Sequence, residues 1–62
     1  MPHHIKSVGN EDHELVLVEY PDSPQFEVRF YSANTPYDHR TLIATDNVAD
    51  AERIYQQHAA HL

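Results

Sequence analysis

NVADAERIYQQHAAHL, residues 47–62, is the stretch on which the reading of the whole chain turns. Val48, Ala51, Ile54, Tyr55, His58, Ala59 and Leu62 recur there at steps of three and four, which an α-helix gathers into one stripe. Asn47 is suited to the N-cap. Asp50, three positions on, has the spacing of a capping-box partner and the charge favoured at the positive end of a helix dipole. A stripe of this kind needs a surface to cover, and the residues upstream of it alternate as strands do.

His13 to Tyr20 reads as strand, with Glu14, Val16, Val18 and Tyr20 on one face and His13, Leu15, Leu17 and Glu19 on the other. Both faces are apolar in the middle, so both need cover. Pro21 to Pro24 forms a loop. Gln25 to Ser32 alternates cleanly: Phe26, Val28 and Phe30 belong under the helix, while Glu27, Arg29 and Tyr31 point away. Arg40 to Thr45 is a third strand, with Leu42 and Ala44 on one face and Thr41, Ile43 and Thr45 on the other. Ala33 to His39 reads as an exposed loop carrying Tyr37. In front, Pro2 to Val8 offers a further short strand anchored by Ile5 and blunted by Lys6. Gly9-Asn10 would follow as a hairpin turn whose first residue needs positive φ.

The expected fold is therefore α+β: one small domain over 1–62, with an antiparallel meander sheet and a C-terminal amphipathic helix packed on one face. The sheet is three-stranded, or four-stranded if Pro2 to Val8 joins it. A sixteen-residue helix is about 24 Å long and covers only one side of such a sheet. The other side is then expected to hold part of the Leu15–Val18 set with Tyr31 and Ile43, an apolar patch of the kind that marks an interface. Leu15, Leu17, Tyr31, Tyr37, His39, Arg40 and Ile43 are the interface candidates, and a symmetric homodimer is the commonest form such a contact takes.

Composition narrows the partners. The formal net charge is −6, and residues 1–27 hold Glu11, Asp12, Glu14, Glu19, Asp22 and Glu27 against Lys6 alone. Affinity for nucleic acid or anionic lipid comes largely from Lys and Arg displacing counterions, so this balance favours a basic protein or a second copy over either. Three strands followed by a helix is also a topology of small domains that lay a sheet in the DNA major groove, but here those strands offer only Arg29 and Arg40. The longest run of clearly apolar residues, Leu15 to Val18, is far short of a membrane span, and no signal-peptide core precedes it. A cytoplasmic location is expected.

Chemistry has few footholds. There is no cysteine, and Gly9 is the sole glycine, which excludes thiolate sites and Gly-rich phosphate loops. Asp38 and His39 are adjacent, but neighbours in an extended chain point apart and make a poor catalytic dyad. His58 and His61 have a metal-compatible helical spacing without a third ligand in view. No catalytic, cofactor or metal residue is assigned. The expected function is a small acidic non-enzymatic module that dimerises or holds a protein through a sheet face or edge; the alternatives are nucleic-acid binding or a histidine-based metal site.

Overall fold

A computed structural model describes residues 2–23 and 25–62. Four strands, β1 (His3–Gly9), β2 (His13–Tyr20), β3 (Gln25–Ser32) and β4 (Thr35–Thr45), form one antiparallel sheet in the order β1-β2-β3-β4, and helix α1 (Val48–Ala59) follows. The α+β meander is thus four-stranded, with the N-terminal segment as its first edge. The turn after β2 covers Pro21–Ser23; Pro24, expected in the same loop, lies outside the described residues.

At twelve residues, α1 is about 18 Å long and packs on β2, β3 and β4. Ala51 and Tyr55 are buried against Leu15, Leu17 and Val28, with Phe26, Phe30, Leu42, Ile43 and Ala59 packed around them. The Asn47 side chain caps the helix by accepting from the N–H groups of Ala49 (2.9 Å) and Asp50 (3.3 Å). Asp50 does not complete the capping box: it pairs with Arg53, and the Asn47 N–H donates to the Thr45 hydroxyl instead (3.1 Å). The predicted stripe is also narrower than its spacing implied. Val48, His58 and Leu62 are exposed, because the helix stops at Ala59 and only its middle turns lie over the sheet.

Two bulges decide which side chains face the helix. In β4, Arg29 pairs with Thr41 and Val28 with Ile43, which leaves Leu42 as the extra residue. A bulge resets the alternation, so Leu42 and Ile43 both pack on the core while Thr41 turns to the opposite face. In β1, His4 pairs with Val18 and Lys6 with Leu17, leaving Ile5 outside the ladder.

The hairpin turns are held by side chains more than by special backbone angles. Asn10 Oδ1 accepts from the N–H groups of Asp12 (2.8 Å) and His13 (2.9 Å), and the Asn10 N–H donates to the His13 carbonyl (2.8 Å). Gly9 is not at positive φ, contrary to expectation. Its lack of a side chain is needed for another reason: a Cβ there would stand 2.7 Å from the His13 carbonyl oxygen. The β3–β4 connection is a tight turn at Ala33 and Asn34, not a seven-residue loop. The register then jumps from Ser32–Thr35 to Tyr31–His39, so Tyr37 and Asp38 stand outside the ladder. A hydrogen bond from the Ala33 N–H to the Asp12 carbonyl (2.8 Å) ties the two turns together.

Candidate interaction site

The open face of the sheet is not the apolar patch expected. Val16 and Val18 lie there, yet they are 1% and 0% exposed. Arg29 stands directly across from Val16 and Glu27 from Val18, and a polar lattice on the same face takes the place of a second helix. The Glu27 carboxylate accepts from the Tyr20 hydroxyl (2.8 Å), Arg29 Nε (2.6 Å) and the Thr41 hydroxyl (2.6 Å). Arg29 also donates to the hydroxyls of Tyr20 and, at 3.4 Å, Tyr31. The bulge at Leu42 is what brings Thr41 to this lattice. Burial raises the Glu27 pKa, but the bonds from Thr41, Arg29 and Tyr20 outweigh it and hold the carboxyl below the usual range. Burial likewise opposes the Arg29 charge, and its bonds to Glu27 and the two tyrosines more than offset that.

Three interface candidates are therefore corrected. Leu15 and Leu17 are fully buried beneath α1, and Ile43 packs on the same core because the bulge turned it inward. None of the three lies on the open face. Tyr31 does lie on the open face, with the His39 ring tilted against it at 5.5 Å. Tyr37 projects fully and is 96% exposed, while Arg40 pairs with Phe30 and is exposed at the β4 edge. The four surviving candidates share one end of the sheet without converging on a common point.

Two shallow clefts flank that end. One, of ≈ 230 Å³, lies between the Asn10–Glu14 turn and Tyr31–Ala33; the other, of ≈ 220 Å³, lies beside Phe30, Asp38, His39 and Arg40. Among the described residues, no three His, Cys, Asp or Glu side chains are grouped as metal ligands, and no buried side-chain polar atom lacks a hydrogen-bond partner. No helix among them is long and apolar enough to cross a membrane.

None of the interface candidates lies on the outer edge of β1, the other free edge of the sheet. Ile5 and Val8 of this edge strand are 46% and 39% exposed, Val8 on the helix side, where it pairs with Leu15. Lys6 was expected to blunt this edge, but its side chain turns to the helix side, where it pairs with Glu52 and stands 4.9 Å from the centroid of the Tyr55 ring. The hydrogen bond from Lys6 lowers the Glu52 pKa, while burial raises that of Tyr55. The available signal was the absence of any carboxylate in residues 1–10 of so acidic a chain. Compared with protein-family models, curated proteins and solved structures, the chain matches none.

Proposed function

We propose that this chain is a small non-enzymatic protein-interaction module that works by strand addition at the free edge of β1. The observation that carries the reading is the state of that edge: seven residues with no neighbouring strand, Ile5 and Val8 exposed, and the only charged side chain, Lys6, drawn away to Glu52. An edge strand presents a row of backbone donors and acceptors, and proteins that must not pair there place charges outward along it. Here that charge is held over the helix side of the sheet by Glu52. Main-chain bonds to an added strand give affinity, and the exposed apolar side chains give selectivity.

A protein partner also agrees with the remaining surface. Glu14 and Glu27 on the open face outnumber Arg29, whose guanidinium is committed to Glu27, so that face offers phosphate little attraction. The test is capture from the native host with immobilised chain, followed by mass spectrometry, comparing the unaltered protein with Val8→Lys. Proteins retained by the first and lost by the second, further copies of the chain included, support the reading. An identical set from both refutes it.

A further inference from the structure

Resting on that reading, we infer that the strand added at β1 is the β1 of a second copy, the two running antiparallel about a two-fold axis. Hydrogen-bonding groups along one strand edge are complementary to the same edge running the other way, so a two-fold axis satisfies both at once. Charge then selects the element. At a net charge of −6 two copies repel, and every other element brings carboxylates to the contact: Glu14 and Glu19 on β2, Glu27 on β3, Asp38 on β4, Asp50 and Glu52 on α1. β1 alone has none. The same fact argues against a basic protein there, since the edge offers no carboxylate to lysine or arginine.

The opposite edge is the poorer alternative. β4 breaks register twice against β3 and carries Asp38 and Arg40, devices that discourage pairing. β1 has one irregularity, at Ile5, and runs in continuous register with β2 from Lys6 to Gly9. An axis normal to the sheet keeps the faces together, so the assembly is one eight-stranded sheet with both helices on the same side and Ile5 and Val8 at the junction.

Light scattering of the full chain from about 10 µM to about 1 mM tests this, the range in which an edge contact at the small end of interface sizes is expected to associate. The mass is expected to rise from one chain to two. Val8→Lys and, separately, Ile5→Lys are each expected to raise the dissociation constant at least about tenfold, with Gln57→Lys, the same charge placed at an exposed helix site, leaving it unchanged. Ser7→Cys is expected to form a disulfide-linked dimer in air, and Asp38→Cys on the other edge is not; the small Ser7 change carries the test should a lysine variant unfold. A monomer throughout, or a dimer indifferent to both lysine variants, overturns the inference. Monomeric protein that still captures a host protein in a β1-dependent way removes the second copy and leaves the edge reading standing.

Discussion

Glu27→Gln tests whether a polar lattice does the work of a second helix. The substitution keeps the shape that shields Val18 and removes only the charge. Three donors meet that carboxylate at 2.6 to 2.8 Å, and the side chains of Glu27 and Arg29 are only 12% and 15% exposed. A hydrogen bond to a charged group contributes about 1.5–3 kcal/mol against about 0.5–1.5 for a neutral one, and Arg29 is left half-buried without its counter-charge. The expected loss is about 2 kcal/mol. A core of this size rarely supplies more than about 3–5 kcal/mol, so roughly half the stability is at stake. At about 4–8 °C per kcal/mol for a small domain, the melting temperature is expected to fall by about 8–16 °C, measured by circular dichroism at pH 7. Arg53→Gln is the control: it breaks the exposed Asp50–Arg53 pair and should move stability by under about 0.5 kcal/mol. A Glu27→Gln midpoint within about 2 °C of the unaltered protein would falsify the claim that this lattice holds the open face.

The same residue sets an acid dependence. The folded-state pKa of Glu27 lies below its ordinary value of 4.5, so its contribution is full above that value and is lost as pH falls through the lower one. Stability of the unaltered chain and of Glu27→Gln should therefore converge in acid; a gap that stays constant down to about pH 2 contradicts the assignment. Gly9→Ala forces a Cβ to 2.7 Å from a backbone oxygen and is expected to cost about 1–3 kcal/mol, read as a lower urea midpoint. Asn47→Ala removes the helix cap and should cost about 1 kcal/mol, with Asn47→Asp close to unaltered. Leu17→Ala opens a cavity under Tyr55 worth about 2–5 kcal/mol, enough to leave a substantial unfolded fraction at 37 °C; a cooperative melt at an unchanged temperature counts against the core described.

Much of the fold was legible from local chemistry. β2 and β3 fall where period-two alternation put them, because both strands pair in continuous register for most of their length and the pleat alone decides which face a side chain takes. The cap at Asn47 was legible for a similar reason, since its bonds reach only two and three residues along the chain. Of the candidate site, Tyr37 and His39 are exposed as the loop reading expected, though they belong to strand β4, while Leu15, Leu17 and Ile43 lie on the helix side and not on the open face. The errors have two sources: an unpaired Leu42 shifts the phase of β4 and turns Ile43 inward, while Leu15 and Leu17 lie under the helix because they register with Phe30 and Val28, and neither fact is signalled by the local sequence.

What the sequence by itself determined is the order of elements, the apolar surplus on both faces of β2, and an acidic chain whose first ten residues hold no carboxylate. Tertiary structure alone decided how that surplus is hidden and which edge is left open. Register sets Arg29 against Val16 and Glu27 against Val18, and the helix draws Lys6 to Glu52. Both outcomes depend on partners far apart in the chain, and a pattern of neighbours carries no record of what lies across a strand or beneath a helix.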